Sequence, residues 1–168
     1  MRRFMVRRDG VLVHFLERES VKIYRCSAVK AAVEMLWATA CCVEELRRFL
    51  RTDSKLLGGG VGIDVGDAHW SVDHRDNPIV VGRGVVGACR LSGPTEAGRM
   101  TLMNIVRQEL DEVTRNRLKL QWVSLKVKGA ADEMSLRYWQ SMAKPEQIVG
   151  EEAGRTIREM CKKMVAEE

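Results

Sequence analysis

Gly59-Gly-Val-Gly-Ile-Asp-Val-Gly-Asp-Ala-His-Trp70, followed by Val80-Val-Gly-Arg-Gly-Val-Val-Gly-Ala-Cys-Arg-Leu91, decides how this chain folds. The first stretch reads as a buried strand that runs into a turn. The second reads as a tight glycine-rich turn that opens a helix. The first N–H groups of a helix have no partner within it, so such a junction points them outward, toward an anion. Glycines 58–60 read as a flexible loop, because no Lys-Ser/Thr follows them as a P-loop requires.

Toward the N-terminus, Asp9-Gly10 is a turn signal between two β-rich runs, so residues 2–15 are expected to form a hairpin. Residues 21–50 read as one long helix, with Val29, Val33, Leu36, Trp37, Ala40, Val43 and Phe49 on its apolar face. Ser20 or Ser27 is the expected cap, and Trp37 and Met35 are expected in the core. Leu56 to Val65 reads as a central strand, Ala68 to Val72 as a second, and Asp73 to Pro78 as a polar loop. Ile79 to Val81 leads into Gly82-Arg-Gly84 and a helix from Val85 to Leu91. Gly87 weakens that helix by about 1 kcal/mol relative to Ala, which points to close packing or close approach of a ligand.

Toward the C-terminus, Gly98–Ile105 reads as a strand, Val106–Arg115 as a helix, Lys119–Lys126 and Met134–Trp139 as strands, and Glu146–Ala166 as a helix. That last helix carries an apolar stripe of Val149, Ala153, Ile157, Met160 and Met164. It is expected to lie beyond the compact part, free to dimerise or to dock a partner. The order of elements makes an α+β fold, a mostly antiparallel sheet covered by helices.

Composition narrows the functional classes. The chain has 168 residues and 45% hydrophobic residues, enough for one domain with a core. No apolar run approaches the roughly 18 residues that a membrane span needs, and the basic N-terminus lacks an apolar segment after it. The expectation is a cytoplasmic protein without a membrane partner. Net charge +5 is scattered, with no basic stripe carrying interleaved aromatics, which argues against nucleic acid and suits a polyanionic nucleotide. The five cysteines show no CxxC spacing and read as reduced, small core residues, and the histidines are not spaced with them for zinc. Asp64 and Asp67 sit three apart on a strand-turn and face different ways, so they do not share a metal; Asp67 and Trp70 read as turn and packing residues.

Several of these stretches, in order, give the chain a resemblance. Arg8-Asp-Gly-Val-Leu-Val-His-Phe15 looks like the Gly-Asp-Gly-x-Leu-x-x-Phe hairpin of the class III nucleotide cyclase homology domain. Ala28-Val-Lys-Ala-Ala-Val33 looks like the helix that follows it. Gly62-Ile-Asp-Val-Gly66 is similar to the Gly-Ile-His-x-Gly strand, and Val81 to Leu91 to Ile-Gly-Asp-x-Val-Asn-x-Ala-Ala-Arg-Leu. Leu125-Lys-Val-Lys-Gly129 is similar to the late Leu-Lys-Gly turn. The likeness covers residues 3–140.

The resemblance implies a ferredoxin-like cyclase-type sandwich over residues 1–140, lacking the first strand, plus a C-terminal helix at 145–168. It implies a site shared between two subunits, in a homodimer or a heterodimer with another cyclase-type chain. There a 3′-hydroxyl of a nucleoside triphosphate attacks the α-phosphorus while Mg2+ or Mn2+ holds the developing charge. Asp9 matches the second metal aspartate, and Arg90 the transition-state arginine, whose guanidinium can clamp phosphate oxygens. The first metal aspartate would precede Asp9 on the strand that is lacking. Val86 stands at the position of the transition-state Asn, Met5 at that of the purine-reading Lys, and Arg83 at that of the purine-reading Asp. An arginine only donates hydrogen bonds, which favours a carbonyl-rich base such as uracil. Gly-Arg here also resembles the pyrimidine cyclases of bacterial anti-phage signalling, and Arg83 as a solvated residue of an inactive site is the other reading. Two functions stay open: a weak or inactive cyclase that forms cyclic UMP or CMP, or a pseudo-cyclase that binds nucleotide or serves as a dimerisation or regulatory module.

Overall fold

Val61–Ile63 (β3) runs parallel to Met100–Leu102 (β6), and this pair anchors a four-stranded sheet. The computed structural model describes residues 2–7, 10–15, 21–47, 58–74, 76, 78–125 and 136–166. Leu136–Ser141 (β8) pairs antiparallel with β6, and Leu120–Leu125 (β7) pairs antiparallel with β8, giving the order β3-β6-β8-β7. The sheet is thus mixed, with antiparallel pairs outnumbering the parallel one. A parallel pair needs a crossover, and here it contains the hairpin of β4 (His69–Val72) and β5 (Pro78–Val81) and the helix α2 (Arg83–Ser92). The expected N-terminal hairpin forms from β1 (Arg2–Arg7) and β2 (Gly10–Phe15), with Arg7 opposite Gly10. Its turn residues Arg8 and Asp9 lie outside the described residues.

The two faces of the sheet are covered differently. Long helix α1 (Val21–Leu46) and short helix α3 (Asn104–Glu109) close one face over a core of Val29, Ala32, Val33, Leu36, Ile63, Met100, Leu102, Val106, Leu110 and Leu118. Strand alternation turns Gly62 to the opposite face, where α2 lies against it. Thr101 and Gln140, both buried, point to that second face, and their polar groups are paired there. The Thr95 hydroxyl donates to the Leu91 carbonyl at 2.6 Å and lies 2.7 Å from the Thr101 hydroxyl. Gln140 Nε2 donates to that Thr101 oxygen at 3.4 Å.

Several expected boundaries move. The strand expected over 56–65 is only β3 among the described residues, and the strand at 98–105 is only β6, because a turn at Glu96–Arg99 leads straight into it. The single helix expected over 106–115 is two. Leu110 and Asp111 take extended backbone angles, and Asp111 then caps α4 (Glu112–Leu118) by accepting from Thr114 N at 2.8 Å. Lys119 ends α4 in the left-handed region at φ 50°, and β7 begins one residue later. Helix 146–166 likewise divides into α5 (Pro145–Ile148) and α6 (Glu151–Ala166), parted at Val149 and Gly150. Ser27 lies inside α1 and cannot cap it, and Ser20 lies outside the described residues.

The C-terminal helix is not detached. It packs along α1, where Trp37 Nε1 donates to the Gly154 carbonyl at 3.0 Å and the Arg158 guanidinium lies 5.3 Å from the Trp37 ring. Cys161 is buried in the same seam. The stripe read from the sequence does not face α1 as a unit, for Met160 and Met164 are 58% and 63% exposed. Met35, expected in the core, is exposed as well. No helix among the described residues is long and apolar enough to cross a membrane.

Leu102 is fully buried between α1 and the sheet. Leu102→Ala is expected to cost about 2–5 kcal/mol in urea unfolding, whereas Met164→Ala, on the exposed side of α6, stays within about 0.5 kcal/mol.

Candidate functional site

Helix α2 meets β3 with no side chain between them. A Cβ at Gly62 would collide with the Ala88 carbonyl and come within 2.5 Å of Ser92 N. The segment after β3 then crosses the start of α2 backbone to backbone: a Cβ on Gly66 would stand 2.7 Å from Gly84 N. Gly82, the residue before the helix, has φ 151° and abuts the Asp67 carbonyl, so both its dihedral and its space demand glycine. No side chain caps α2.

The reason for Gly87 is now visible. A Cβ there would occupy the place of Asp64 Oδ2. The carboxylate of Asp64 is seated against the helix backbone, and its other oxygen accepts from Val65 N at 2.7 Å. Half-burial pushes this carboxyl above its ordinary range, while the Val65 N–H and the charge of Arg83 pull it partly back. Tyr138, on the α2 face of β8, is raised by burial and by the Asp64 charge and lowered by Arg90. Asp64, Tyr138, Arg83 and Arg90 therefore share one electrostatic environment.

Three of the expected site residues come together. Arg83, Val86 and Arg90 stand at i, i+3 and i+7 of α2 and form one exposed face, with Val86 45% exposed. Two helical turns separate the arginines, about 10 Å along the axis. Met5 lies in β1 opposite Leu12. Asp9 lies outside the described residues. Asp67 is exposed.

The residues described do not form a site for Mg2+ or Mn2+. Among them no three His, Cys, Asp or Glu side chains converge as ligands. The half-buried Asp64, raised in pKa and within the field of the Arg83 guanidinium, is a single carboxylate and not the cluster of ionised oxygens a hard cation takes. Sequence reasoning noticed Asp64 but judged it only against Asp67. It missed Tyr138, because nothing local marks a strand tyrosine as the neighbour of a carboxylate far away in sequence. Compared with protein-family models and with curated proteins, the chain matches none.

Gly87→Ala is expected to push the Asp64 carboxylate out of its seat, moving its titration down toward the ordinary value of 3.8, as followed by carboxyl NMR. An unchanged titration would show that the carboxylate does not depend on that space. Asp64→Asn tests the same burial through pH. A raised folded-state pKa means that the folded protein holds the proton more tightly than the unfolded chain. The stability this gives is fully present below 3.8 and is lost as pH rises through the folded value. The variant should therefore gain on the wild type in thermal unfolding as pH rises across that window, and the advantage should then level off.

Proposed function

We propose that this chain is a nucleotide cyclase-like domain that binds a nucleoside triphosphate on the exposed face of α2 and acts as one half of a dimeric site. What supports the reading above all is the single face formed by Arg83, Val86 and Arg90. It agrees with the order of motifs through residues 3–140 and with a mixed α+β fold. In this reading Arg90 clamps phosphate oxygens with charge-assisted hydrogen bonds, and Arg83 donates to carbonyls of the base, favouring a pyrimidine. Val86 offers an apolar contact in place of the amide the resemblance expects.

Cyclisation requires divalent ions on the triphosphate, and only Asp9 is matched to that role. The reading therefore keeps two forms, a weak or inactive cyclase and a binding or regulatory module derived from cyclases. The partner half comes from a second copy or from another cyclase-type chain.

The test is titration of the full chain with ATP, GTP, CTP and UTP, followed by thermal shift and by product analysis with Mn2+. Pyrimidine triphosphates are expected to stabilise the protein. Arg90→Gln should weaken binding roughly 10- to 100-fold, the worth of one charged hydrogen-bonded contact of about 1.5–3 kcal/mol. Absence of binding by any of the four nucleotides would sink the reading. A cyclic product that disappears with Asp9→Ala would instead establish the active enzyme.

A further inference from the structure

We propose that Cys42 and Cys161 form a peroxide-sensitive thiol pair that converts to a disulfide and ties α6 to α1. The seam between these helices holds three thiols: Cys41 and Cys161 are buried, Cys42 is half-buried, and all are free. Cys161 Sγ sits 3.5 Å from the Ala38 carbonyl. Residues 38 and 42 lie on one ridge of α1, a single turn apart, so a side chain seated over Ala38 stands beside Cys42. Cys42 adjoins Cys161 across the seam. Cys41 is buried beside the Arg158 guanidinium, whereas Cys42 reaches solvent. The pair is therefore Cys42 with Cys161, one residue from each helix.

Exposure assigns the order of events. Burial and the adjoining Cys42 push the Cys161 thiol up to about 12, so it stays protonated at neutral pH and does not meet an oxidant first. Cys42 reaches solvent. Its sulfur attacks one oxygen of hydrogen peroxide, the S–O bond forms, the O–O bond breaks, and one water leaves, giving a sulfenic acid. The Cys161 sulfur then attacks the Cys42 sulfur. The S–S bond forms, the S–O bond breaks, and the departing hydroxide takes the Cys161 proton as a second water. Two thiols are oxidised by two electrons and one peroxide is reduced. In the reduced protein α6 is held by the Trp37–Gly154 hydrogen bond, by Arg158 over the Trp37 ring and by burial at Cys161. In the oxidised protein it cannot leave α1.

The experiment treats the full chain with hydrogen peroxide, then counts thiols after denaturation and maps peptides. Two of the five thiols are expected to disappear, in a peptide that links Cys42 to Cys161, and dithiothreitol should restore both. Amide exchange in α6 should slow by about tenfold or more on oxidation. Cys42→Ser, at a half-buried position that does not threaten folding, should abolish the link, and Cys89→Ser, on the exposed α2, should leave it intact. Oxidation of Cys42 to sulfinic acid without a link would overturn the proposal, as would a link that survives Cys42→Ser.

Discussion

Everything on the α2 side of the molecule depends on Gly62 having no side chain. The sheet and the helix touch there through backbone, with Ala88, Leu91 and Ser92 occupying the space a Cβ would take. Bringing the helix that close lays the 64–68 segment directly over its first turn, Gly66 on Gly84 and the Asp67 carbonyl on Gly82. That overlap delivers the Asp64 carboxylate to Gly87. It also fixes the rotation of α2, so that Arg83, Val86 and Arg90 point outward together. A methyl group at 62 would lift the helix and undo each of these contacts in turn.

Two different physical regimes hold the two faces. The α1 face is a broad apolar contact, worth much stability and tolerant of small shifts. The α2 face is narrow and directional: glycine contacts at one end and the paired Thr95, Thr101 and Gln140 at the other. Buried polar groups are costly unless satisfied, so this end of α2 has one acceptable position rather than a range. A helix held in this way is a suitable carrier for side chains that must be placed precisely relative to a ligand.

The legible parts of the fold were those with local physical causes. The Asp-Gly turn and alternating residues announce the first hairpin, and the 3.6-residue period announces α1. The breaks at Leu110–Asp111 and Val149–Gly150 were hidden because the apolar period runs across them, and only the Asp111 cap betrays the first. Periodicity names an apolar stripe on α6 but not its partner; Trp37 selects Gly154 and Cys161 as the buried side and leaves Met160 and Met164 outside. In the site, the arginine face could be read from i, i+3, i+7 spacing. The seat of Asp64 could not, since it depends on a glycine 23 positions away in the chain, on another element.

Three other arginines are tied into the fold. Arg99 bonds Glu96 and the Ser141 carbonyl, Arg107 lies 3.9 Å from the Trp139 ring centre, and Arg158 covers Trp37. Each of these has a visible structural task. Among the described residues the side chains of Arg83 and Arg90, like those of Arg47, Arg115, Arg117 and Arg155, make no hydrogen bond or ion pair; the charge of Arg83 acts on Asp64 and that of Arg90 on Tyr138. Two guanidiniums on a helix of defined position, without a hydrogen-bond partner among the described residues, can offer charge-assisted hydrogen bonds to an anion. The carboxylate of Asp64 lies near the Arg83 end of that face, so the Arg90 end is the more favourable one for an anion.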